Sequence, residues 1–221
     1  INRKRVLRIY QKLHLQVRRK KRKQAARASR MPKLTPTMVN EGWSMDFMSD
    51  TLADGRSLRL FNVVDDCSRE AVAMEVGISM PAALVIRILE RAIEERGYPA
   101  WITCDNGPEF AGNKLDEWAY NRGIELRFIR PGKPQENAYA ESFNARVRDE
   151  LLNQHCFRDL DEARALVEAW RVDYNDLRPH GSLKDLTPSE FAARLQEEGY
   201  PSSCTGQAKA CFKPLDPTPV G

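Results

Sequence analysis

The sequence predicts an α/β protein: a mixed five-stranded sheet flanked by helices, preceded by a basic N-terminal arm and followed by C-terminal helices. Three observations carry this. Apolar alternation at strand period begins at Gly42 and two further strand-like runs follow up to Ile78, helical stripes then alternate with two short apolar runs, and every acidic residue lies beyond residue 33. With 221 residues, 42% of them hydrophobic and 30% charged, the chain has material for about one folded core plus tails.

Taken in order, Val6, Ile9 or Tyr10, Leu13 and Val17 recur at helical spacing, which predicts an amphipathic helix that docks on a partner surface. Residues 20–37 lack such a period and read as an extended basic linker closed by Pro32 and Pro36. From Gly42, Trp43, Met45 and Phe47 alternate with Ser44, Asp46 and Met48, the pattern of a strand. Leu58 to Val64 and Ala71 to Ile78 follow, separated by the turn cluster Asp65-Asp66-Cys67-Ser68, so the first three strands form an antiparallel meander. After Pro81, Leu84, Val85, Ile88, Leu89 and Ile93 keep a helical stripe until Gly97. A strand (Trp101 to Cys104), a helix (Lys114 to Asn121) and a strand (Ile124 to Ile129) lead to Pro131-Gly132-Lys133-Pro134. Helices are then expected from Glu136 to about Leu152, from Leu160 to Asn175, and from Pro188 with Thr187 as N-cap. Beyond Gly199 the Pro, Ser, Gly and Thr content predicts a disordered tail. The domains are therefore 1–38 (basic arm and linker), 39–198 (core with C-terminal helices) and 199–221 (tail).

Charge is distributed unevenly. Residues 1–33 hold 14 Lys or Arg and no acid, whereas the remainder holds 21 basic against 31 acidic residues, a net −10. Such a body repels a polyanion, while the arm, with Arg18, Arg19, Lys20, Lys21, Arg22 and Lys23 in one run, neutralises phosphates and releases counterions. Five scattered cysteines without a Cys-x-x-Cys pair suggest neither a disulfide framework nor a zinc knuckle and fit a reducing cytoplasm. No run approaches the ~18 apolar residues of a membrane-spanning helix. The basic start lacks the apolar stretch of a secretory signal.

Three carboxylates stand where chemistry is expected. Asp46 lies mid-strand, where a carboxylate is costly unless solvated or bound to a cation. Asp105 closes the fourth strand in Cys104-Asp105-Asn106-Gly107, at the sheet edge where α/β folds place ligands, and Glu141 lies on the helix after the Pro-Gly loop. Converging there, they would raise one another's pKa unless divalent metal neutralised them, and oxygen-only ligands suit Mg²⁺ or Mn²⁺. Two such ions ~3.5–4 Å apart support in-line phosphoryl displacement.

The segments Trp43-Ser44-Met45-Asp46-Phe47, Val64-Asp65-Asp66-Cys67-Ser68-Arg69, Asp105-Asn106-Gly107-Pro108-Glu109-Phe110 and Pro131 to Asn144, together with Tyr174-Asn175, Arg178-Pro179-His180 and Thr187-Pro188, closely resemble bacterial insertion-sequence transposases of the IS-three type. These carry the catalytic core of retroviral integrases, and the likeness covers about residues 40–195. It implies a ribonuclease H-like fold with Asp46, Asp105 and Glu141 as a catalytic triad binding two Mg²⁺ (or Mn²⁺) ions. It also implies DNA end cleavage with water, followed by joining of the freed 3′-hydroxyl to another strand. The implied partners are DNA (element ends and target) and further copies of the chain, with no membrane and no small-molecule substrate. The implied location is the bacterial cytoplasm at the nucleoid. The arm from Arg3 to Lys23 is similar to the end of the family's N-terminal helix-turn-helix region, whose earlier helices would precede Ile1.

Around the triad, Asn144 and Arg148 follow Glu141 by three and seven residues and share its helical face, with Arg148 placed to meet a phosphate. Gln135, Asn137 and Tyr139 are expected to touch DNA at the loop and helix start, Asn144 beside them, and Lys133 to close over the substrate. Asp65 and Asp66 are read as turn carboxylates capping backbone amides, His180 as a packed histidine, and Trp43, Trp101, Trp118 and Trp170 as core. Two other readings compete: a DNA-binding remnant or regulator without turnover, and a plain ribonuclease H-like nuclease that hydrolyses but never joins strands.

Overall fold

The computed structural model describes residues 2–13, 36–105, 113–130 and 137–198. The chain divides into two units, Ile1–Lys33 and Leu34–Gly221. In the first, helix α1 (Arg3–Lys12) leaves Val6, Ile9 and Leu13 about half exposed. The sequence extended this helix to Val17, which lies outside the described residues, as do Arg18 to Lys23 and the tail beyond Gly199.

The second unit holds β1 (Gly42–Thr51), β2 (Ser57–Asp65), β3 (Ala71–Gly77), α2 (Ala82–Arg96), β4 (Trp101–Cys104), α3 (Asn113–Arg122), β5 (Glu125–Phe128), α4 (Ala138–Val147), α5 (Leu160–Asp176) and α6 (Pro188–Glu197). The five strands lie in the order β3-β2-β1-β4-β5. β1, β2 and β3 pair antiparallel as the expected meander, while β4 joins β1 and β5 joins β4 in parallel. Period-2 alternation sorts β1 between the two faces of this sheet. Trp43 and Met45 pack with α2 and α3 around Leu89, Ile102 and Leu115, and Phe47 lies against the same cluster. Met48 faces the other way, into a second core built from Phe143 and Val147 of α4 and Val167, Trp170 and Tyr174 of α5. Helices thus cover both sides, and each of the four tryptophans is buried.

Local chemistry sets the boundaries. Gly97 closes α2 at φ 88°, donating its N–H to Ile93 at 2.7 Å. Gly42 must be glycine for a different reason: a Cβ there would fall 2.2 Å from the Trp101 indole. At α6, Thr187 and Glu190 form a reciprocal capping box with Pro188 at the helix start. The helix expected from Glu136 to Leu152 is instead α4 followed by a π-helical turn, Arg148–Leu152. This widened turn buries Leu151 and Leu152, a departure that hydrophobic periodicity alone does not encode. At the outer strand β3, α5 supplies side chains to the main chain: Asn175 accepts from the Ala71 N–H at 2.8 Å and donates to its carbonyl at 3.2 Å. Arg171 and Arg164 donate to the carbonyls of Ala71 and Val76 at 3.4 Å.

Candidate active site

Asp46 sits at the middle of the central strand β1 on the face covered by α4, with Asn62 of β2 as its antiparallel partner. Its Oδ1 accepts from the Phe47 N–H at 2.8 Å and its Oδ2 from the Asn144 amide at 2.8 Å. Asn144 is itself fixed, because its Oδ1 accepts from Asn62 Nδ2 at 2.7 Å. A relay Asn62–Asn144–Asp46 therefore locks the carboxylate's orientation from two elements at once. Burial is the main force lifting the Asp46 carboxyl, to about 6. The carboxylates of Asp105 and Glu141 lift it further, while the Phe47 N–H and the Asn144 amide pull it down. Asp105, half-buried just past β4, and Glu141, exposed in the first turn of α4, thus lie near enough for both charges to act on Asp46.

The donors are all carboxylate oxygens, which suits a hard divalent cation, and mutual repulsion at Asp46 is the imbalance such a cation relieves. Among the described residues, however, no three His, Cys, Asp or Glu side chains are grouped to hold an ion. The donor chemistry fits a metal; the described arrangement stops short of closing around one.

The other expected residues divide into three sets. Arg148 shares the Glu141 face and is exposed, its guanidinium reaching the Ser49 carbonyl at 3.4 Å. Asn137 and Asn144, expected against DNA, are buried at 2% and 8% exposure, with Asn137 donating to the Met45 carbonyl at 3.2 Å. Tyr139 is half-buried under the Arg69 guanidinium, 3.7 Å from its ring centroid. Lys133 and Gln135 lie outside the described residues, as does Glu109. Asp65 caps a turn as read from sequence: Oδ1 accepts from the N–H groups of Cys67 and Ser68, and Oδ2 from that of Asn40. Asp66 accepts from the Ser44 hydroxyl. Cys104, next to Asp105, is buried, and burial pushes its thiol up to about 12, so it is inert at neutral pH. Sequence reasoning missed Asn62. Its signal was there, a lone amide interrupting Leu60-Phe61 and Val63-Val64 in a strand buried on both faces.

A five-stranded mixed sheet with a carboxylate at its centre and helices on both faces is the fold of retroviral integrase catalytic cores, of ribonuclease H-like type. The HTLV-2 integrase catalytic core domain in complex with magnesium superposes with a TM-score of 0.58 at 20% identity, over 71% of this chain and 98% of that one. The simian T-cell lymphotropic virus intasome, in complex with PP2A regulatory subunit B56 gamma, gives a TM-score of 0.61 at 18% identity, over 83% and 60%. In sequence, the integrase core domain family matches residues 36–134 and 122–188. The 31.7 kDa protein of insertion element IS407 from Burkholderia multivorans is 44% identical over 97% of this chain and 75% of that protein. The 39.2 kDa protein of IS476 from Xanthomonas euvesicatoria is 40% identical over 90% and 57%. Transposase InsD of IS2D from Escherichia coli is 28% identical over 86% and 66%. The chain belongs to the insertion-element transposases that carry the integrase core domain.

Proposed function

We propose that this transposase cleaves DNA at the ends of an insertion element and joins the resulting 3′-hydroxyl to a target strand, with Asp46, Asp105 and Glu141 as the catalytic, metal-holding triad. The observation that carries the proposal is Asp46: a carboxylate held by two fixed hydrogen bonds in the sheet centre and raised to about 6, with Asp105 and Glu141 both contributing. Divalent metal, Mg²⁺ or Mn²⁺ and two ions by the logic of in-line displacement, supplies charge that activates the attacking oxygen and steadies the leaving one. The chain's own part is positioning. Asn62 and Asn144 hold Asp46 in one orientation, and Arg148, about two turns beyond Glu141 on the same face, meets a phosphate of the bound strand. Water and a 3′-hydroxyl serve as successive nucleophiles in one reaction type, so no covalent protein intermediate is needed.

The function divides the chain into a DNA-neutralising arm (1–38), a catalytic core (39–198) and a tail (199–221), with copies of the chain pairing two DNA ends. The test is strand transfer on labelled DNA ending in a free 3′-hydroxyl, with Mg²⁺, Mn²⁺ or EDTA. Joined products that need metal and vanish in Glu141→Gln are expected. Metal-dependent cleavage without joining would identify a nuclease, and binding without product a regulator.

A further inference from the structure

Helix α4 shows two functional faces. Glu141, Asn144 and Arg148 form the face toward Asp46; Tyr139, Ser142 and Arg146, at the same i, i+3, i+7 spacing, lie ~160° around the helix on another. This second face lines a pocket of about 230 Å³ closed by Arg69, His180 and Ser182. The pocket is cationic. Arg178, nearby, is neutralised by Glu150 and Asp173, but among the described residues neither Arg69 nor Arg146 is paired with a carboxylate. Their groups are instead oriented: Arg69 stacks on Tyr139 and donates to the Asp66 carbonyl at 2.6 Å, and Arg146 lies 3.2 Å from His180 Nδ1.

Two further observations point to a ligand. A guanidinium can only donate, so Nδ1 of His180 accepts and the ring hydrogen sits on Nε2, which is buried with no partner, in a side chain only 3% exposed. In addition, Arg69 adopts φ 66°, a left-handed conformation costing a non-glycine residue on the order of 1 kcal/mol, and it is this backbone that carries its guanidinium over Tyr139. Unpaired guanidinium groups, hydroxyls and an orphan N–H around one cavity are the complement of an anion with several acceptor oxygens.

We propose that this pocket binds a backbone phosphate of the DNA strand running past α4, with Arg69 and Arg146 supplying the charge and Ser142 and Ser182 further donors. The site rests on the DNA-joining function proposed above and extends its contact surface from one face of α4 to two. It fixes strand register without reading bases, because phosphate contacts carry no sequence information.

The test measures binding of the full chain to a short labelled duplex in EDTA across a salt series, for wild type, Arg69→Gln, Arg146→Gln, Arg146→Lys and the double glutamine variant. Each glutamine variant is expected to bind about tenfold more weakly, with the slope of log affinity against log salt falling by about 1. The double variant should lose little more slope than either alone, since both arginines serve one phosphate, and Arg146→Lys should keep the slope. Arg69→Gln leaves the His180 contact intact and so guards against a folding artefact at Arg146. Neutral methylphosphonate substitution, scanned along the duplex, should weaken wild type at one position to which Arg146→Gln is indifferent. Wild-type binding with unchanged slopes in both variants overturns the pocket and leaves the triad standing. So does an equal loss of binding to polyglutamate, which would mark an acidic protein partner. Failure of wild type to bind any duplex would overturn the DNA function itself.

Discussion

Asp46 pays for its position. Burial and two neighbouring carboxylates raise it to about 6, so at neutral pH the folded chain holds a charge it would rather neutralise. For an acid with a raised folded pKa, the stability it contributes is present below about 3.8, its unperturbed value, and is lost as pH rises through about 6. Asp46→Asn should therefore abolish strand joining while making the fold more stable at pH 7–8, by about 1 kcal/mol or ~2–4 °C in Tm. The gain should vanish at pH 4, and calorimetry at the two pH values checks it. A loss of stability at pH 7 would mean that the hydrogen bonds from Phe47 and Asn144 outweigh the repulsion. At this scale the sequence was informative about residue type but not about partners. Asp46, Asp105 and Glu141 stood out because carboxylates at a strand centre, a strand end and a helix start need a reason. That the Asn144 amide is spent inside the protein was not legible, since its partner Asn62 lies 82 residues away and meets it only once α4 lies over β2.

Among the elements, the strands were legible to within about three residues: alternation marks β1, while β2 and β3, buried on both faces, were marked by apolar runs bounded by turn residues. α4 was not, because the π-helical turn after Val147 breaks the helical period without any glycine or proline to announce it. The outer strand β3 depends on α5 for more than apolar contact. Asn175, 3% exposed, satisfies both the N–H and the carbonyl of Ala71. Asn175→Ala takes away the acceptor of the Ala71 N–H and leaves its carbonyl only the longer Arg171 contact, and should cost about 2 kcal/mol in denaturant unfolding. Asn175→Asp keeps the acceptor but loses the donor and should cost part of that. Tyr174-Asn175, recognised as a family segment from sequence, is thus explained by sheet docking rather than by contact with substrate.

For the molecule as a whole, acid sensitivity follows from His180. Burial first, then the charges of Arg146 and Arg178, hold its imidazole down at about 4 against an ordinary value of 6.5. The sign is that of a base depressed by folding: its contribution is present above 6.5 and is lost as pH falls through about 4. Wild type should lose up to about 3 kcal/mol relative to His180→Gln between pH 7 and pH 4, at 1.36 kcal/mol per unit. Parallel pH dependences for the two proteins would show that His180 titrates normally. Arg146, one of the charges that keep His180 neutral, gives the acidic core a local cationic face together with Arg69, so the net −10 beyond residue 33 does not describe the surface presented beside α4.

The outer edge of β3 has a consequence of a different kind. An open strand edge offers carbonyls and N–H groups to any passing strand and is the usual seed of aggregation. Here Arg164, Arg171 and Asn175 occupy main-chain groups at Ala71 and Val76, near the two ends of the strand. A foreign strand would have to displace two guanidinium groups before pairing. Two copies of the chain brought close together are thereby discouraged from fusing their sheets along this border into insoluble fibres.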